Sequence, residues 1–247
     1  ILKRLSESYR KIRNTCRFLL GNLHDFTPAQ AVGYEHLAEI DRWALHRLHQ
    51  LAAKVTAAYT ACEFHTIYHL LHNFCVTDLS AVYLDILKDN LYCSLPAGAS
   101  RKASQTAFHI ILTSLIKLMA PLLPFTADEM WGFLPADGAR EESVHLSPFP
   151  QLDGRYLDDA LHEKWQLLFQ VRTRALKVLE EKRAEKLLGN ALEAEVILEA
   201  PEQLFRMLNE NHAALEDLFI VSRVTLRTAS GGENLSPEAG LDRLQVS

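Results

Sequence analysis

Cysteine is scarce in this sequence, and long apolar runs are absent. The four cysteines (Cys16, Cys62, Cys75 and Cys93) are far apart and form no CxxC pair. This pattern argues against a disulfide scaffold and favours free thiols in a reducing compartment, so we expect a cytoplasmic protein. No apolar stretch approaches the ~20 residues that a membrane span needs. The first residues also lack the apolar core of a signal peptide, so we expect no membrane partner.

Catalytic motifs are missing as well. The patterns GxxxxGK[ST], GxGxxG and GxSxG, which hold phosphates or expose a nucleophile, do not occur. We therefore predict no active site and no bound cofactor within these 247 residues. The composition, 48% hydrophobic and 23% charged residues, is typical of a globular protein that buries a real core.

Three histidines form the sharpest metal-like pattern. His65, His69 and His72 follow one another at steps of four and three residues, so they share one face of a helix. Zinc enzymes use such pairs, but no glutamate follows the first histidine and no further ligand stands out. A role on the helix surface or in the core is the favoured interpretation, and we predict no metal site.

Helical periodicity dominates the first 135 residues. Apolar residues recur at three- and four-residue steps, which predicts helices over about 2–23, 34–59, 63–91 and 100–119, the last being the most buried. Thr27-Pro28-Ala29-Gln30 resembles a helix start. Thr126 with Glu129 predicts a capping box that opens a short helix through Trp131. Four long helices with short links predict an antiparallel bundle.

The pattern changes after this bundle. A helix over about 157–188 precedes a strand at 192–199, a helix from 201 to about 215 and a second strand at 219–227. The predicted fold class is therefore mainly α, with an antiparallel helical bundle followed by a long helix and a small αβ subdomain. We expect the bundle at 1–135, a linker at 136–154 and the C-terminal subdomain at 155–228. Residues 229–247 are expected to form a second linker or the start of a further C-terminal module, and their last residues are able to open another strand.

Charge is unevenly distributed along the chain. The net charge is −5, yet residues 1–26 carry six basic side chains against two carboxylates, a local charge of +4. At 100° per residue, Lys3, Arg10, Asn14 and Arg17 lie opposite the apolar face of the first helix, with Arg13 on its flank. A basic stripe of this kind is either a solvated face or a phosphate-binding surface, and spacing alone leaves both open.

Longer motifs carry a family resemblance. The run from Tyr9 to Leu23, YRKIRNTCRFLLGNL, resembles the start of the anticodon-binding domain of isoleucyl-tRNA synthetases. The likeness continues in DRWAL (41–45), HNFC (72–75), YLDILKD (83–89), APLLPFT (120–126) and KLLGNALEA (186–194). Valyl and leucyl enzymes share the DRW and APxxPFT elements, whereas YRKIRNT, FLLGNL, HNFC and YLDILKD are typical of isoleucyl enzymes. Asn90 departs from the family, which usually has arginine there.

The resemblance implies that the bundle binds the anticodon stem-loop of isoleucine tRNA and supports ATP-dependent attachment of isoleucine. The family's HIGH and KMSKS motifs and its zinc module are not in this sequence, so we expect the chain alone to be inactive. The full-length enzyme is expected to use ATP with magnesium, to bind zinc and to be a monomer. Its own catalytic domain is a further expected partner. The expected RNA contacts are Arg10, Lys11, Arg13, Asn14, Arg17 and Lys88, with Phe26 as a stacking surface. Asn90 in the arginine position implies either the loss of one phosphate partner or a position that is not a contact.

Overall fold

The computed structural model describes residues 2–95, 98–135, 138, 140–229 and 236–247, and it forms two compact units, Ile1–Asp158 and Asp159–Ser247. The helices of the first unit are α1 (Leu2–Asn22), α2 (Glu39–Thr60), α3 (Phe64–Asn73), a π-helix (Phe74–Tyr83), α4 (Leu84–Ile86), α5 (Lys88–Cys93), α6 (Ala99–Met119) and α7 (Pro124–Phe133). The mainly α fold is confirmed. No helix in the described ranges is both long and apolar enough to span a membrane.

The core of the first unit lies where α1, α2 and α6 pack together. The apolar face predicted for α1 is buried, with Cys16 and Leu19 fully inaccessible. On α6, 14 of the 21 residues are buried, which confirms that this helix is deeply enclosed. Described residues of the expected linker 136–154 also lie in this unit, where Val144 is buried.

The predicted third helix, 63–91, is not a continuous α-helix. After α3 the chain widens into the ten-residue π-helix and then continues as the short helices α4 and α5. The buried positions explain the difference, because Phe74, Leu79 and Tyr83 are spaced by five and four residues. A helix with hydrogen bonds from i to i+5 keeps that spacing on one face. Val82, which three- and four-residue periodicity places on the apolar face, is only half-buried.

Two predicted helix starts have different outcomes. The Gln30 side chain accepts a hydrogen bond from the Thr27 amide at 3.0 Å, as expected for a cap, but it opens only a 3-10 turn, Pro28–Gln30. The capping box at Thr126 is wrong, because α7 already begins at Pro124. Proline suits that first position, since its missing N–H would have no helical partner there. Thr126 and Glu129 are thereby free to contact α1.

The second unit pairs helices with a small sheet. Its elements are α8 (Asp159–Ala184), β1 (Glu195–Ala200), α9 (Glu202–Glu210), α10 (His212–Phe219), β2 (Arg223–Thr228), α11 (Pro237–Gly240) and β3 (Gln245–Val246). The strand order is β2-β1-β3, with β2 parallel and β3 antiparallel to β1. Both predicted strands are present, and β3 confirms the expected strand at the end of the chain. The predicted helix after Pro201 is instead two helices, separated at Asn211.

A candidate RNA-binding face and groove on the first helix

The outer face of α1 carries exposed side chains without a local partner. Arg10, Lys11, Asn14 and Arg17 are all exposed. Their side chains make no hydrogen bond or ion pair with another residue that the structure describes. The opposite face of the same helix is buried, so the helix is held in place while these groups stay in water. The four side chains are therefore available to an anionic ligand.

Arg13 is placed differently, although it belongs to the same helix. Its Nη2 atom lies 3.1 Å from Glu129 Oε1 on α7, and its Nη1 atom donates to the Tyr9 hydroxyl at 3.3 Å. The Tyr9 hydroxyl in turn lies 2.9 Å from the Thr126 hydroxyl. The hydrogen bond with Tyr9 and the charge of Glu129 raise the pKa of Arg13. Arg13 thus connects α1 to α7 at the flank of the basic face.

A groove runs beside α1 where the helix meets the π-helix. It contains about 750 Å³ of empty space that is open to solvent. Its lining residues come from α1 and from the segment that runs from the π-helix to the first residue of α5. They are Lys11, Asn14, Thr15, Phe18, Val76, Ser80, Leu84 and Lys88. The fold therefore brings Lys88, far away in sequence, to the same groove as Lys11 and Asn14. Lys88 Nζ also lies 2.7 Å from Asp85 Oδ1.

Several groove residues were missed by sequence reasoning. Phe18, Val76 and Leu84 give the groove an apolar lining between its cationic side chains. Phe18 is half-buried, so part of its aromatic ring remains reachable. A signal for Phe18 existed: at 100° per residue it falls among the polar positions of α1 rather than on the apolar face. Val76 and Leu84 gave no such signal, since their place depends on the π-helix.

Phe26 does not offer a stacking surface. Its side chain is 3% exposed, and its ring centroid lies 5.5 Å from that of His109. A nucleotide base needs an open ring face to stack on, and this ring is enclosed in the core. The structure thereby corrects the expectation for Phe26. The side chain of Asn90 lies outside the described residues, so its expected consequence stays a prediction.

The end of α1 is held by an ionic cluster in which Arg101 is buried and Asp25 is partly exposed. Arg101 of α6 places its Nη2 atom 2.8 and 2.9 Å from the two carboxylate oxygens of Asp25, and Gln105 donates to Asp25 at 2.7 Å. Burial acts to raise the pKa of Asp25, but the hydrogen bond from Gln105 and the charge of Arg101 lower it overall. Arg101 also donates to the Leu91 carbonyl of α5 at 3.3 Å. The cluster therefore holds α1 and α5, on either side of the groove, to α6.

A fully buried carboxylate supports the π-helix. Asp41 on α2 is fully buried and accepts a hydrogen bond from the Tyr83 hydroxyl at 2.6 Å. Burial raises the pKa of Asp41 to about 6, even though the hydrogen bonds from Tyr83, the Ala38 amide and Ser104 act in the opposite direction. This carboxyl lies inside the bundle and not in the groove, so we assign it a structural role.

Two of the three histidines of α3 lie beside an aromatic ring. The centroid of the Tyr68 ring is 5.1 Å from that of His69 and 5.9 Å from that of His72. Among the described residues, no group of three or more histidine, cysteine or carboxylate side chains is arranged to hold a metal ion. Burial raises the pKa of Cys16 to about 12, so this thiol stays protonated.

Comparisons with known proteins identify the family. Residues 41–198 match the sequence model described as the anticodon-binding domain of tRNA ligase. The isoleucine–tRNA ligase of Carboxydothermus hydrogenoformans is 48% identical over 95% of this chain, and that of Geobacter sulfurreducens is 44% identical over the whole chain. The chain spans about a quarter of the length of these relatives. It therefore belongs to the anticodon-binding domains of tRNA ligases, and within them to the isoleucine–tRNA ligase family.

Proposed function

We propose that the chain binds the anticodon stem-loop of isoleucine tRNA through the outer face of α1 and the adjoining groove. The observation that carries this proposal is the groove itself, in which Lys11 and Lys88 accompany the partly accessible ring of Phe18. Single-stranded RNA is commonly bound by such a combination, because cations neutralise phosphates while aromatic rings stack on bases.

The two parts of the surface have different tasks in this proposal. Arg10 and Arg17 on the outer face contact backbone phosphates, which positions the RNA but carries no sequence information. An unstacked anticodon base enters the groove, where Asn14 is able to donate and accept hydrogen bonds at the base edge. The Arg13–Glu129 pair lies at the flank, and we assign Arg13 a smaller share of the phosphate contacts for that reason.

The remaining three quarters of the ligase perform the chemistry in this proposal. The complete enzyme would activate isoleucine with ATP and magnesium, bind zinc outside this chain and act in the cytoplasm, where translation takes place. Its catalytic domain is the second partner of the chain. We expect the 247-residue chain alone to attach no isoleucine to tRNA. Its sequence lacks the family's ATP-handling motifs, which supports this expectation.

The proposal is tested by titrating the chain with two stem-loop RNAs, one carrying the isoleucine anticodon and one carrying a different anticodon. We expect tighter binding of the first RNA and weaker binding of both as salt rises, because each phosphate contact adds roughly 0.7–0.9 to the slope of log affinity against log salt. The variant Lys11→Gln should weaken binding, whereas Lys54→Gln, an exposed lysine on α2, should not.

Two results would contradict the proposal. The first is binding that responds neither to salt nor to the anticodon. The second is unchanged affinity after Arg17→Glu, since reversing a charge that faces phosphate must weaken the contact. The second result would favour a helical module that supports the ligase with little RNA contact.

A further inference from the structure

The π-helix forms one wall of the groove, and two hydroxyl groups join it to α1. The Thr15 and Ser80 hydroxyl oxygens lie 2.9 Å apart. Ser80 Oγ also lies within hydrogen-bond distance of the Cys75 carbonyl oxygen five residues earlier. Thr15 is 4% exposed and Ser80 is exposed, so the pair extends from the core into the groove.

Each hydroxyl has a single proton to donate, and the contact between the two oxygens can use either one. Thr15 Oγ1 lies 3.0 Å from the Lys11 carbonyl oxygen of its own helix, and Ser80 Oγ lies 2.8 Å from the Cys75 carbonyl oxygen of the π-helix. When Thr15 donates to Lys11, Ser80 is able to donate to Thr15. When Ser80 donates to Cys75, Thr15 is able to donate to Ser80. Either arrangement joins α1 to the π-helix through a hydrogen bond between the two hydroxyls.

The other anchors of the π-helix lie on its far side. Arg47 on α2 pairs with Asp78 at 3.0 Å, and Asp41 accepts from Tyr83 at 2.6 Å. These bonds hold the π-helix against α2. Within the described residues, the side-chain hydrogen bonds that join the π-helix to α1 all involve Thr15. Thr15 and Ser80 thus provide the described side-chain hydrogen bond between α1 and the π-helix beside the groove, in addition to apolar packing.

We propose that Thr15 and Ser80 are positioning residues for RNA recognition, because their hydroxyl pair holds the π-helical wall at the distance from α1 that a bound base requires. This inference rests on the proposed function of the groove. π-Helical turns are rare and are frequently found at functional sites. A short hydroxyl contact across the groove gives this wall one defined position, so the fit of a base can depend on it.

The proposal distinguishes the hydroxyl group from the shape of the side chain. Thr15→Val keeps the shape and removes the hydroxyl, whereas Thr15→Ser keeps the hydroxyl and removes a methyl group. Ser80→Ala removes the other partner at an exposed site. Thr60→Val is the matched control, because Thr60 makes the same kind of bond to a helix carbonyl, that of Thr56 at 3.1 Å, and lies outside the groove lining.

The experiment measures the affinity of the 247-residue chain for the isoleucine stem-loop RNA and for an RNA with one changed anticodon base. We expect Thr15→Val and Ser80→Ala to lower the ratio of the two affinities by about fivefold, the size of one net hydrogen bond. Thr15→Ser and Thr60→Val should retain the ratio. Thermal melting of each variant provides the readout of folding.

A discrimination ratio retained in both Thr15→Val and Ser80→Ala would overturn the proposal. An equal loss in Thr60→Val would also overturn it, since the effect would then follow general helix stability. If the unmodified chain itself does not discriminate between the two RNAs, the proposed function of the groove fails together with this inference. If the unmodified chain discriminates between the two RNAs and the variants retain the same affinity ratio, only the positioning role of Thr15 and Ser80 is refuted.

Discussion

Removing two charges from the outer face of α1 gives the sharpest test of phosphate binding. Arg10 and Arg17 are exposed, and neither side chain has a described partner inside the protein. The double variant Arg10→Gln/Arg17→Gln should therefore leave the fold intact while removing two of the three cations of α1 that we propose as unpaired phosphate contacts, with Lys11 remaining as the third.

The expected magnitude follows from the number of contacts. Three phosphate contacts give a log–log salt slope of about −2.1 to −2.7, so the unmodified chain should lose roughly 20- to 40-fold in RNA affinity between 50 and 200 mM salt. With one contact left, the variant should lose only about threefold over the same range. The RNA affinities of the unmodified chain and the double variant should therefore differ most at low salt.

The assay is a fluorescence titration of stem-loop RNA at several salt concentrations. The matched control is Lys54→Gln/Lys177→Gln, which makes the same charge change at exposed lysines of α2 and α8. A control slope as shallow as that of the double variant would refute the reasoning, because net charge and not the α1 face would then set the affinity. An unchanged slope in the double variant would refute it equally.

Three further predictions concern buried groups and aromatic rings. Asp41→Asn should remove a pH-dependent part of the free energy of unfolding. Because the pKa of Asp41 is about 6 in the folded chain instead of 3.8, its protonated carboxyl stabilises the fold below about pH 4. About 3 kcal/mol of this stabilisation is lost as pH rises through 6. Urea unfolding should therefore show the original chain losing stability relative to Asp41→Asn between pH 4 and pH 7, and a constant difference would contradict the buried position. Phe18→Ala should weaken RNA binding by about 1–3 kcal/mol in titrations. Phe26→Ala should instead lower the free energy of unfolding by about 3–5 kcal/mol. The reverse pattern would contradict the assignment of Phe18 to RNA binding and of Phe26 to the core. Arg101→Ala should destabilise the fold by roughly 1.5–3 kcal/mol in denaturant unfolding, the size of a hydrogen bond to a charged group, because it removes the buried donor of the hydrogen bonds to the partly exposed Asp25 carboxylate. No measurable loss would contradict the role of this cluster.

The sequence alone determined the features that depend on local periodicity. The apolar face of α1, the enclosed α6 and the strands of the second unit all follow from patterns within a few consecutive residues. The exposed positions of Arg10 and Arg17 follow from the same pattern, because residues opposite a buried helix face must lie in water.

Other features depend on residues that are far apart in the chain. Burial of the Phe26 ring against His109 and the pairing of Arg13 with Glu129 require α1 to lie beside α6 and α7, and no helix pattern specifies which neighbours those are. The continuous helix predicted over 63–91 was wrong because three- and four-residue periodicity does not anticipate a π-helix.

The groove is the feature that only the tertiary structure decided. Lys11 and Lys88 come together because the π-helix packs against α1, and the hydroxyls of Thr15 and Ser80 meet for the same reason. The sequence marked α1 as basic on one side but left open whether this face was solvated or bound phosphate. Packing decided where an aromatic ring, an amide and two lysines converge, because convergence depends on distances between helices that no single helix encodes.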